Sequence, residues 1–198
     1  MNWKGTFAAL AVAVMALATI SGGIGPLGPV LLLLAMAAAW RYTPRFWSTL
    51  VRGLVGGAIA GVLILGPGFR IAMRVVSIMD PIRPAEFTME GTVFIVIFVG
   101  AMIGGVLGAC GLLVRSALGV RSSVLAGVSL GVATIGLLLL TPGDIRTEFF
   151  ELGGGPWVNI PMFGVFAVSY GIAAMAIADR LVRRGRARVR RDQQKVPA

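Results

Sequence analysis

The chain has 198 residues, 57 % of them hydrophobic, a mean hydropathy of +0.90 and a net charge of +10. Its apolar content exceeds what one soluble core of this size buries and falls in runs near 20 residues, which excludes a soluble globular domain and predicts an integral membrane protein. It has no histidine, and its two lysines, Lys4 and Lys195, lie outside the apolar runs. Imidazole-ligated haem or zinc, a Ser-His or Cys-His pair, and a Schiff-base chromophore inside the bundle are thereby excluded.

In chain order, Lys4, an apolar run and Ala16-Leu17-Ala18 read as a cleaved signal peptide or as a first span; we expect an uncleaved span over 5–20. A turn dense in glycine and proline, 21–26, leads to a second helix over 29–40 with Pro29 in its first turn. Both are short for a full crossing. Arg41-Tyr42-Thr43-Pro44-Arg45-Phe46-Trp47 is a basic and aromatic segment of the kind that anchors at the headgroups.

The third span runs over 52–80. Gly53, Gly57 and Gly61 recur every four residues and line one face, where a second helix backbone can approach closely. Gly66-Pro67-Gly68 interrupts the apolar pattern, and a kink or break is expected there. Arg70 and Arg74 follow on one face. The residues 82–91, with Arg83, Glu86 and Glu90, read as a loop, and a fourth span over 92–114 repeats the seam with Gly100, Gly104 and Gly108.

Arg115 and Arg121 bracket a short connection to a fifth span, 122–140, which carries Gly127 and Gly131. Cys110, the single cysteine, reads as a small core residue. Thr141-Pro142-Gly143-Asp144 reads as a helix start, and Ile145, Phe149 and Leu152 share a face away from the acids, so a short amphipathic surface helix is expected before Gly153-Gly154-Gly155-Pro156. Trp157 is an interfacial anchor for a sixth span over 158–178.

The fold class is therefore an all-α integral membrane protein, a bundle of six transmembrane helices with a short amphipathic surface helix in the last outer loop. One transmembrane domain covers 1–180, and 181–198 is a basic tail expected to be disordered. With six spans, fourteen arginines and lysines lie on the side of both termini against four, Arg70, Arg74, Arg83 and Arg146, on the other. Both termini are placed in the cytoplasm of a bacterium, with the protein multi-pass in its plasma membrane. In size and span count this architecture is similar to that of substrate-capture subunits of bacterial vitamin importers, an analogy that no motif extends.

The candidate ligand site is Arg70 and Arg74 with the carboxylates Glu86, Glu90 and Glu148, where a broken helix and two guanidiniums suit a carboxylate, a phosphate or another anionic head group. A structural clamp, with Arg70 snorkelling or paired to those acids, is the competing reading. The acids lack the spacing of a metal loop, so no metal and no cofactor is expected. The function expected is binding or transport of a small anionic or amphipathic ligand, without enzymatic activity. The alternative is a non-catalytic scaffold or accessory subunit whose glycine seams dock a membrane partner or a second copy. Partners are the bilayer itself and anionic lipids at the basic tail, with no specific nucleic acid.

Overall fold

The computed structural model describes Ala37, Trp40 and residues 46–80, 88–140, 150, 151 and 153–194. Four long helices are built from them. α1 is Phe46–Met79, α2 is Met89–Leu118, α3 is Ser123–Leu140 and α4 is Pro156–Gln194.

Pro67 does not break α1. Just before it, Gly61–Leu65 widen into a π turn, and Gly66–Met79 resume the α form with proline at their first positions. A proline ring collides with the carbonyl four residues back and offers no N–H, and a wider turn spaces that carbonyl ladder so that the ring enters without ending the helix. The helix is thus not broken there but continues through a widened turn.

α2 begins earlier than its apolar run. Thr88 caps it, its hydroxyl oxygen accepting from the Gly91 amide at 3.1 Å, and Glu90 stands in the first turn against the positive end of the helix dipole. The end of the expected loop, 89–91, is therefore helical. A second π turn follows at Phe94–Val99. Gly119, with φ at +69°, closes α2 in the left-handed region, and Ser122 caps α3 by accepting from the Leu125 amide.

Three helices, Phe46–Met79, Met89–Leu118 and Pro156–Arg184, are long and apolar enough to cross a membrane, and α3 is a shorter apolar helix. The protein is all-helical among the described residues and is a multi-pass membrane protein. The spans expected over 5–20 and 29–40, and the surface helix of 141–152, lie outside the described residues except at Ala37, Trp40, Phe150 and Glu151. The tail is corrected: α4 continues past Ala178 to Gln194. Arginine and alanine are good helix formers, and between Ala178 and Gln194 there is one glycine, Gly185, and no proline.

The helices form a ring in the order α2, α1, α4, α3, each antiparallel to the next. Glycines set three of the contacts. A Cβ at Gly53 would lie 2.6 Å from Ala109 Cα, one at Gly57 would meet the backbone of Gly104 and Gly108, and one at Gly61 that of Gly100. Gly127 and Gly131 likewise face Ile172 and Val168 of α4, and Gly56 faces Ala174 and Ala178. Backbones at this range gain van der Waals contact that larger residues would forbid, the main source of helix association where water supplies no hydrophobic drive. Large apolar residues such as Leu63, Ile71, Ile97, Val132 and Val165 point outward, while the interior holds Ala60, Ala72, Ala167 and Ala174 with Leu107, Leu113 and Phe163. Tyr170 is fully buried and donates its hydroxyl to the Gly104 carbonyl, joining α4 to α2 across the ring.

Candidate functional site

Midway along α1 its π turn faces that of α2, and directly after it a Cβ on Gly66 would lie 2.7 Å from the Val96 carbonyl oxygen. Just beyond them Arg70, half-buried, donates Nε to Thr92 Oγ1 at 3.1 Å. Thr92 in turn donates its hydroxyl to the Thr88 carbonyl at 2.9 Å. The guanidinium is thus hung from the first turn of α2 and lies beside Gly91, with Nη2 4.0 Å from where a Cβ would be. Gly68 makes room on the α4 side, since its Cβ would collide with the Phe166 ring. Phe69 packs edge-on against Phe163 of α4, with centroids 5.1 Å apart, and fixes the helix face from which Arg70 projects.

Arg74 lies one turn on from Arg70, on the same side of α1, and is exposed. Glu90 is exposed too. It precedes Thr92 by two residues, about 200° around the helix, and borders an apolar groove with Met89, Val93, Phe94, Ile97 and Phe98. Glu86 and Glu148 lie outside the described residues. Among the described residues no three metal-ligating side chains converge.

Two polar residues are buried in the ring: Asn159, which sequence reasoning passes over, and Thr134, which it reads as a helix–helix hydrogen bond. Asn159 is fully buried in the first turns of α4, at the same end as Arg70. Thr134 is buried as well, but its hydroxyl bonds the Leu130 carbonyl of its own helix at 2.9 Å rather than a neighbour. A lone polar residue in an apolar run has no signal that separates these two cases.

The opposite end holds a clamp. Arg115 donates Nη1 to Asp179 Oδ1 at 2.8 Å and Nη2 to Asp179 Oδ2 at 3.2 Å, while Nε reaches the Val120 carbonyl and Nη2 the Arg121 carbonyl. The chain counts as a topology charge in sequence what the fold uses to bind the α2–α3 connection to α4. Asp179 directly follows the apolar run of α4, an acid among arginines, and that is the signal that could have found the pair.

These features define a polytopic membrane protein with a polar contact at one end and an ion-pair clamp at the other. The chain matches no protein-family model, no curated protein and no solved structure.

Proposed function

We propose that the chain is a six-span protein of a bacterial plasma membrane, with both termini in the cytoplasm, that binds or transports a small anionic or amphipathic ligand at the Asp80 end. Arg70 and Arg74 supply the positive charge there, and the expected acids Glu86 and Glu148 bound the site from the loops. The observation that carries this reading is the pair of facing π turns directly beneath the Arg70–Thr92 bond. Wide turns recur at functional sites because they displace backbone carbonyls from the regular ladder, and inside a membrane such backbone is tolerated where protein or a cavity surrounds it. Thr92 fixes the tilt of the Arg70 fork, which reduces what a carboxylate or phosphate must order on binding. No catalytic role is assigned.

The scaffold alternative is the weaker reading, because Gly53, Gly57 and Gly61 are covered by α2 of the same chain and are not a surface for a partner. Thermal unfolding in mild detergent, with a panel of short-chain carboxylates and phosphate monoesters, tests the site. Saturation of a real site at about 100 times Kd stabilises by about 2.7 kcal/mol. We expect at least one anion to raise Tm in the wild type and in Arg83→Ala, and to lose that effect in Arg70→Ala. Equal responses in the two variants, or none in the wild type, would remove the site.

A further inference from the structure

The fourth side of the ring carries a feature that the Arg70 reading does not use. α2 and α3 are joined through residues 119–122, yet each is drawn to a different neighbour, α2 onto α1 and α3 onto α4, by its own glycines. Their joined ends stay together while their lengths part, and a cleft of about 400 Å³ opens between them. Cys110, Val114 and Leu118 line it from α2 and Leu125, Ser129 and Ala133 from α3, each set at a spacing of four and so on one helix face. Leu118, Leu125, Ser129 and Ala133 are exposed, so the cleft opens outward from the ring.

Its dimensions select the occupant. From Cys110 to Leu118 the helix rises about 12 Å, and a narrow volume of about 400 Å³ along that length has the shape of an extended hydrocarbon chain. A single acyl chain fits such a slot. At the rim, Arg115 is satisfied by Asp179 and holds the Arg121 carbonyl at 3.0 Å, which fixes the backbone of an exposed arginine that directly follows Val120 of the cleft wall. Arg180, Arg183 and Arg184 are exposed at the same end of the molecule. Apolar walls below a cationic rim complement a hydrocarbon tail below an anionic head.

We propose that the α2–α3 cleft is a binding site for one acyl chain of an anionic phospholipid, with its phosphate at Arg121. The site is independent of Arg70 and lies at the other end of the bundle.

Ala133→Cys in a Cys110→Ser background, at an exposed position of the cleft wall, reports occupancy. The full-length protein is held in mild-detergent micelles doped with phosphatidylglycerol or with phosphatidylcholine, and alkylation by N-ethylmaleimide is followed by mass. Phosphatidylglycerol should protect this thiol about fivefold better than phosphatidylcholine, the preference that one arginine near the headgroups supplies. Arg121→Gln should erase the preference. In native mass spectra, Ser129→Phe, which fills the slot, should lose the retained phosphatidylglycerol, whereas Val132→Phe, equally bulky on an exposed position outside the slot, should keep it. Equal protection by the two lipids in the wild type, or equal retention in the two phenylalanine variants, would overturn the proposal. So would protection that needs no added lipid, as a second copy or residues 1–45 would provide.

Discussion

Arg115 donates from all three guanidinium nitrogens, to two carboxylate oxygens and two backbone carbonyls, and its side chain keeps 12 % of its exposure against 30 % for Asp179. A pair this sheltered is weak evidence of net stabilisation, but removing one member strands the other charge and the two carbonyls. Because Asp179 retains some solvent contact, we expect Arg115→Ala to cost about 2 kcal/mol, below the figure for fully buried pairs. Lysine should not rescue it, since a single ammonium cannot span the carboxylate and both carbonyls. Thermal unfolding in detergent checks this. Arg115→Ala and Arg115→Lys should both lower Tm clearly while Arg183→Ala, exposed on the next turns of α4, leaves it within about 0.5 kcal/mol of the wild type. Sequence places Arg115 correctly at a helix end, but charge counting treats every arginine alike and says nothing of the partner 64 residues away.

At the scale of the helices, period and length locate α2, α3 and the start of α4 within a few residues, because apolar runs and small-residue spacing are local properties, but they miss the first turns of α1 and the polar, arginine-rich continuation of α4 to Gln194. What sequence does not show is which seams meet. Gly53, Gly57 and Gly61 pair with Gly100, Gly104 and Gly108, whereas Gly127 and Gly131 pair with α4 at Gly171, and only tertiary packing decides between these. The π turns are hidden for a related reason: Pro67 signals a disturbance, but whether the helix ends or widens depends on the neighbour that holds both sides of it. Paired glycine substitutions separate packing from propensity. Gly136 has nothing within 4 Å of a built Cβ, while the Cβ of Gly57 would overlap the α2 backbone. Alanine gains up to about 1 kcal/mol of helix propensity over glycine at either place. Gly136→Ala should therefore hold or raise Tm, and Gly57→Ala should lower it by about 1–3 kcal/mol as α1 and α2 are forced apart. The two shifts are read in one unfolding series, and a Tm for Gly57→Ala at or above the wild type would mean that the seam tolerates separation.

For the whole molecule, the ring sorts the arginines of the described residues by end. Among the described residues, Arg52, Arg115, Arg121, Arg180, Arg183 and Arg184 gather at one end and Arg70 and Arg74 at the other. This imbalance does not depend on the spans expected over 5–20 and 29–40, because the alternation of α1 to α4 alone sorts the arginines. Positive residues flanking short connections are retained on the cytoplasmic side, so the Arg115 end should face inward and the Asp80 end outward. The Arg70 site would then sample the outside and the α2–α3 cleft the inner leaflet, where anionic lipids concentrate their charge. Cysteines placed singly by Glu86→Cys, Glu148→Cys and Arg121→Cys, in a Cys110→Ser background, test this in intact cells with a membrane-impermeant maleimide. The first two should label before lysis and the third only after it. Labelling of Glu86→Cys only after lysis would invert the molecule and move the anion site of Arg70 to the cytoplasm. Opposite sidedness of Glu86→Cys and Glu148→Cys would instead require α3 to re-enter on the side from which it started, and it is the shortest of the four apolar helices.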